Sequence, residues 1–259
     1  MATLSDKETP AGPDKKVVIS TTEGDIEVTL YGDTPKHQAN FIKLAKEGYY
    51  NGTLFHRVIN EFMVQAGDPD SKDAKPGQHL GSGGPGYQID AEFVYPKHFH
   101  KYGALAAART GDQMNPERKS SGSQFYIVTG KKYSEAEIKQ IEEYLKSEPM
   151  QRRFYELMQP HQAEIMRMQQ ERDQAGLQKL QEQLVSQVEA EFADKPGLTP
   201  EQKEAYTTIG GTPHLDGQYT VFGEVTKGMD VVEKIQKAET DGADRPKNDI
   251  KITGVKVID

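Results

Sequence analysis

The stretch FHRVINEFMVQAGD, residues 55–68, places two short β-favouring runs on either side of a break at Asn60 and Glu61. It sets one cation, Arg57, among Phe55, Val58, Phe62, Met63 and Val64. Side chains alternate between the faces of a strand, so Phe55, Arg57 and Ile59 are expected on one face of the first run, and Met63 and Gln65 on one face of the second. Farther on, SSGSQFYIVTG (120–130) puts Gln124 and Tyr126 on one face of a third strand. Period two does not say which face is buried. Either Arg57 pairs with a carboxylate on the rim while Met63 and Tyr126 fill an ordinary core, or arginine, methionine, both glutamines and the tyrosine line one half-apolar groove.

Similar runs flank this stretch: VVIS (17–20), IEVTL (26–30), ALAAA (104–108), YTVFGEV (219–225) and IKITGVKVI (250–258). Turn residues separate them, and Thr22-Glu23-Gly24-Asp25 reads as a hairpin turn. Eight runs with two helices between them suggest a mainly β protein built on a closed eight-stranded antiparallel barrel, a form that leaves no exposed edge. The helices are expected over Pro35–Glu47, with Thr34 as N-cap and Pro35 at the first helical position, and over Met229–Gln236.

Residues 131–208 have another texture. Ser134 and Glu137 form a capping-box pattern, followed by Ile138, Ile141 and Leu145 at helical spacing. A second run carries Phe154, Leu157, Met158, Ile165 and Met168; a third carries Leu177, Leu180, Leu184, Val188 and Phe192. Pro160 is expected to kink the second run and Gly176 to loosen the junction before the third. A last helix starts at Thr199-Pro200. Between Ser134 and Tyr206 there are 15 acidic and 9 basic residues, so this segment holds most of the net charge of −8. The organisation expected is a disordered tail over 1–14, a barrel domain over 15–130 and 209–259, and an inserted α-helical arm over 131–208.

The negative charge and the lack of a basic block argue against nucleic acid as a partner. The absence of cysteine rules out disulfides, thiolate metal sites and thiol redox chemistry. No run of about 18 apolar residues suggests a membrane span. MATLSDKETPAGPDKK has no apolar signal-peptide core, so a cytoplasmic protein is expected, with a periplasmic one as the alternative if a signal segment has been removed.

The seven histidines are scattered except for His98 and His100, so no metal is expected. GSGGPG (81–86) lacks the Lys-Ser or Lys-Thr of a phosphate loop and reads as a mobile surface turn. Nothing suggests a nucleophile, and no cofactor is expected.

FHRVINEFMVQAGD, GGPGY, ALAAARTGD, SSGSQFYI, HLDGQYTVFGEV and GMDVVEKI together resemble the cyclophilins, a family of peptidyl-prolyl cis/trans isomerases. The likeness covers residues 15–130 and 209–259 in order. It implies an eight-stranded barrel capped by two helices. Arg57 matches the family's catalytic arginine. Phe62, Met63, Tyr126 and Leu215 match its proline pocket, where phenylalanine is common at the place of Tyr126. Gln65 and Gln124 match polar groups holding the arginine and the substrate backbone. Ala108 and Arg109 match the segment that contacts the peptide, and His56 the histidine beside the arginine. Two positions at the pocket depart: His214 replaces a tryptophan that helps bind cyclosporin, so tight binding of that inhibitor is not implied, and Tyr219 replaces a histidine.

The implied partners are proline-containing peptides and unfolded or partly folded proteins. The helical arm is the candidate for chaperone-like or dimer contacts, its four methionines (Met150, Met158, Met166 and Met168) suiting varied partners. The alternative is a decoration without effect on catalysis.

Overall fold

Val17, Ile19 and Thr21 on one strand and Ile26, Val28 and Leu30 on the next are buried in strict alternation, and Thr22 and Glu23 turn the chain between them. The computed structural model describes residues 10–258. Its elements are β1 (Lys15–Thr21), β2 (Gly24–Leu30), α1 (Pro35–Lys46), β3 (Arg57–Ile59), β4 (Met63–Ala66), β5 (Gln88–Ile89), β6 (Ala104–Ala107), β7 (Ser120–Ser121) and β8 (Phe125–Val128). After these come α2 (Glu135–Met158), α3 (Gln162–Glu171), α4 (Gln174–Phe192), α5 (Pro200–Thr208), β9 (Val221–Lys227), α6 (Met229–Gln236) and β10 (Ile252–Val257). Of the tail expected over 1–14, residues 1–9 lie outside the described ones. Gly12 donates its N–H to the Gly32 carbonyl at 2.9 Å, and Asp14 accepts from the Gly32 N–H at 2.7 Å.

Eight strands form one antiparallel sheet in the order β10-β1-β2-β9-β6-β8-β4-β3, while β5 and β7 pair separately. The expected closed barrel is therefore corrected to an open, curved sheet, a half-barrel. Its edge strands β3 and β10 share no ladder. The residues before β3 bond to the start of β10 and the residues before it: Gly52 N–H to Ile252 O at 2.8 Å, Ile252 N–H to Thr53 O at 2.8 Å, Phe55 N–H to Ile250 O at 2.9 Å, and a bridge between Leu54 and Lys251. The reason is local. β3 is three residues long, and residues 52–56 leave the extended ladder before it begins.

The concave side holds the main core. Val58, Val64, Ala66, Leu105, Ala107, Phe125 and Ile127 point into it, with Phe41 and Leu44 of α1 and Val232 and Ile235 of α6 packed over them. Thr34 precedes α1, yet its hydroxyl bonds the Tyr31 carbonyl. The Glu92 carboxylate takes the capping place, accepting from the N–H groups of Lys36 and His37 at 3.0 Å each.

The chain divides into two compact units. One runs up to Lys132 and resumes at Glu204; the other is Tyr133–Lys203. In the helical unit the capping box at Ser134 and Glu137 is formed. The first expected run and the part of the second that precedes Pro160 form one 24-residue helix with Pro149 inside it, while Ile165 and Met168 fall in α3. Proline there removes one N–H donor from the ladder without ending the helix. Pro160 falls in a 3-10 turn between α2 and α3, and the Asp173 side chain caps the Gly176 N–H at the start of α4. Ile138, Leu180, Leu184, Val188 and Leu198 supply the buried apolar side chains of this unit. Its surface is not methionine-rich: Met166 is exposed, whereas Met150, Met158 and Met168 are half-buried.

Candidate active site

Alternation fixes what lies on the convex face. With Val58, Val64, Phe125 and Ile127 turned into the core, Arg57, Ile59, Met63, Gln65, Tyr126 and Val128 must turn outward. Register then sets them in rows: Arg57, Gln65, Tyr126 and Ala106 stand opposite one another across β3, β4, β8 and β6. Adjacent strands lie about 4.8 Å apart, so Arg57 and Tyr126 are separated by about 10 Å at the backbone. Met63, Ala104, Ala106, Tyr126, Val128 and Val221 form a second apolar cluster on this face, with Phe62, Ala108, Leu215 and Tyr219 packed against it. Met63 and Tyr126 are thus both core and surface floor, 2% and 4% exposed.

Phe55 does not share the face of Arg57, as strand alternation predicts. It is fully buried in the concave core, because the backbone at residues 52–56 is not extended strand. Arg57 itself is exposed and makes no ion pair among the described residues, so it is not the rim partner of a carboxylate.

A groove of about 540 Å³ opens over this cluster. His56, Arg57, Phe62, Met63, Gln65, Ala108, Arg109, Tyr126, Leu215 and Tyr219 line it. Phe62 is presented by the turn between β3 and β4, where Glu61 has φ 56°, and its carbonyl accepts from the Thr129 and Gly130 N–H groups at 3.0 and 3.1 Å. His214 is not among the residues lining the groove; its exposed ring stacks on Phe62, ring centroids 5.6 Å apart. Gln124 lines an adjoining pocket of about 520 Å³ that shares Gln65, Ala108 and Arg109 with the groove.

The two glutamines are coupled. Gln65 Nε2 donates to Gln124 Oε1 at 3.0 Å, and Gln124 Nε2 donates to the Gly83 carbonyl at 2.8 Å. The glycine-rich run is therefore tied to the site: Gly81 and Ser82 line the groove, and Asp68 accepts the Gly81 N–H. The Ala108 backbone is engaged within the fold, its N–H to Gln124 O at 3.0 Å and its carbonyl from Ser121 N–H at 2.8 Å. Arg109 spends its guanidinium on the protein. It donates to Gln218 O and Thr110 O, pairs with Asp112 at 2.7 Å, and lies 4.4 Å over the Tyr219 ring. Of the arginines lining the groove, Arg57 makes no ion pair among the described residues, whereas Arg109 and Arg245 are paired with Asp112 and Asp249.

Burial pushes the His56 imidazole below its ordinary pKa, and partial desolvation pushes that of the more exposed His214 the same way, so both favour the neutral form. Both ring nitrogens of His56 are buried without a hydrogen-bond partner among the described residues.

Sequence reasoning missed the far wall: residues 77–80, Asp241, Ala243 and Arg245. Arg245 is buried, pairs with Asp249 through two nitrogens, and donates to the carbonyls of Ala74 and Lys75. It clips two loops together. These segments carry neither strand nor helix period, and only the unusual buried arginine marks them.

Fold and face define a cyclophilin-like half-barrel. The sequence model of the family described as cyclophilin-type peptidyl-prolyl cis-trans isomerase matches residues 16–141 and 159–257. The chain belongs to this family and is a peptidyl-prolyl cis-trans isomerase. A Staphylococcus saprophyticus protein named as a peptidyl-prolyl cis-trans isomerase is 30% identical over 252 residues, covering 96% of this chain and 94% of its own. That span passes through the helical unit. Crystal structures of a Cryptosporidium parvum cyclophilin-type isomerase are similar in fold, with TM-scores of 0.55 and 0.54 at 20% and 19% identity. They cover 95% of this chain and 98% and 99% of their own; the second was determined in the presence of the dipeptide Ala-Pro.

Proposed function

We propose that the convex groove is where X-Pro bonds are rotated, with Arg57 as the catalytic donor and Phe62, Met63, Tyr126 and Leu215 as the proline pocket. The observation that carries this reading is the exposed guanidinium of Arg57, without an ion pair among the described residues, standing in one cross-strand row with Gln65 and Tyr126 beside an apolar floor.

An X-Pro amide is held planar by delocalisation of the nitrogen lone pair, with a barrier of about 18–20 kcal/mol. Rotation breaks no bond to a neighbouring group, so a catalyst need only bind the twisted amide better than either planar form. In the twisted state the nitrogen is pyramidal and its lone pair is localised. A guanidinium N–H can donate to that lone pair, and the contact strengthens as double-bond character is lost. The apolar floor holds the ring while the preceding carbonyl turns. Gln65 and Gln124, already bonded to each other, keep the polar wall in place. Arg109 contributes its buried stem and its stacking on Tyr219, with its donors engaged elsewhere.

The substrates on this reading are proline-containing peptides and partly folded chains, in keeping with the Ala-Pro named for the Cryptosporidium structure. The helical unit offers Tyr144, Tyr155 and Met166 to solvent, a surface suited to gripping unfolded chains. Replacing these three by serine and glutamine should then slow the refolding of a proline-limited protein far more than tetrapeptide turnover, and equal losses would argue against it. The groove itself is tested by Arg57→Ala, expected to lower kcat/KM on a tetrapeptide at least about tenfold; an unchanged value in a folded variant would refute it.

A further inference from the structure

Behind the pocket floor lies a chain of buried polar groups that the isomerisation scheme does not use. The Tyr126 hydroxyl meets His100 Nε2 at 2.8 Å. His100 Nδ1 meets Asp216 Oδ1 at 3.1 Å, and the same oxygen accepts the His100 backbone N–H at 2.8 Å. Asp216 Oδ2 accepts the Tyr206 hydroxyl at 2.5 Å. All four residues are buried: Tyr206 and His100 completely, Tyr126 at 4% and Asp216 at 6% exposure.

The donors assign the protons. Asp216 accepts two of them outright, the His100 backbone N–H and the Tyr206 hydroxyl, and a carboxylate there has lone pairs left for an N–H on His100 Nδ1. In the neutral tautomer that matches this partner, with the hydrogen on Nδ1, His100 Nε2 is left as the acceptor of the Tyr126 O–H. The hydroxyl is thereby turned away from the groove, and the tyrosine presents only its ring to whatever lies there. The chain also reaches the rim, because Asp216 directly follows His214 and Leu215. Its far end is α5, where Tyr206 packs edge-on against Phe99 at 5.5 Å.

We infer that His100, Asp216 and Tyr206 are positioning residues for the prolyl site: they fix the ring plane of Tyr126 and the Leu215 rim, so that a tyrosine serves where an apolar ring is required. This rests on the groove being the proline site. None of the three touches substrate. Loss of a link takes one hydrogen-bond partner from a buried polar group and lets the Tyr126 hydroxyl turn toward the pocket, which weakens binding of the proline ring rather than the chemical step.

The test is steady-state kinetics of a proline tetrapeptide with the full chain. His100→Phe is expected to raise KM at least fivefold with kcat within twofold of the parent. Tyr206→Phe deletes one hydroxyl and little volume, and is expected to raise KM at least threefold with the same constancy of kcat. Nitrogen NMR of the histidine rings should show His100 protonated at Nδ1 and bare at Nε2. A folded His100→Phe or Tyr206→Phe with KM unchanged overturns the inference, and Tyr206→Phe decides it if His100→Phe does not fold. The outcome separates from that of the groove itself: Arg57→Ala then still loses turnover, whereas failure of the groove reading leaves Arg57→Ala fully active.

Discussion

Arg57 and Tyr126 belong to one cross-strand row, two strands apart, with Gln65 between them. A guanidinium fork and an aromatic floor therefore line the same groove from backbone positions whose spacing is set by register. Lysine keeps the charge at this place but loses the planar fork and its fixed N–H directions. On the proposed mechanism, Arg57→Lys lowers kcat/KM nearly as far as alanine does, by at least about tenfold or about 1.4 kcal/mol. Protease-coupled kinetics on a tetrapeptide checks this; a lysine variant within twofold of the parent would mean that charge alone suffices.

Gln124 joins the sheet to the glycine-rich loop through Gln65 and the Gly83 carbonyl, and it is itself buried. Gln124→Ala removes both bonds and leaves the Gln65 amide and the Gly83 carbonyl without these partners. The expected cost is about 1–3 kcal/mol of stability, with faster amide exchange in residues 80–86. Hydrogen exchange by mass spectrometry reads the second effect directly, and exchange there at the parent rate would show that the loop is held by other contacts.

The strands were legible because their alternation is nearly unbroken: Val17, Ile19 and Thr21, or Phe125 and Ile127, can occupy only one face. Closure of the barrel was not legible. It depends on whether residues 52–56 extend β3, and their composition is as β-favouring as that of a strand. The same break misplaced Phe55. Arg57, Gln65 and Tyr126 could be put on outward faces by period two, but their lying in one row is a matter of register between distant segments. The Gly81–Ser82 wall and the Arg245 clip were hidden for another reason. Irregular loops carry no period, and only tertiary hydrogen bonds bring them to the groove.

His56 and His214 give the fold a predictable acid response. Desolvation lowers both pKa values below the ordinary 6.5 or so, with buried His56 the larger contributor and the more exposed His214 the smaller, so the unfolded chain binds more protons than the folded one once pH falls below that value. Stability is unaffected by these groups above about pH 7 and declines as pH drops through the unfolded pKa toward the folded ones. The Tm is therefore expected to fall between pH 7.5 and 5.5 (roughly the window centred on the free-imidazole pKa). A His56→Gln/His214→Gln variant should lose less over the same interval. Parallel curves for the two proteins would assign the acid response to other groups.

Leu184 is 5% exposed and packs in a unit whose buried apolar side chains are few, with Ile138, Leu180, Val188 and Leu198 as the others. Leu184→Ala removes its side chain beyond Cβ from that small core, and such changes cost about 2–5 kcal/mol when the cavity cannot collapse. A thin core cannot absorb such a loss. The helical unit is thus expected to open while the sheet keeps its own core of Val58, Val64, Phe125 and Ile127. Amide exchange should accelerate across α2 and α4 and stay slow in β4 and β8, with tetrapeptide turnover preserved. If β4 and β8 accelerate to the same degree, the two units unfold as one, and the helices contribute to the stability of the sheet that carries Arg57.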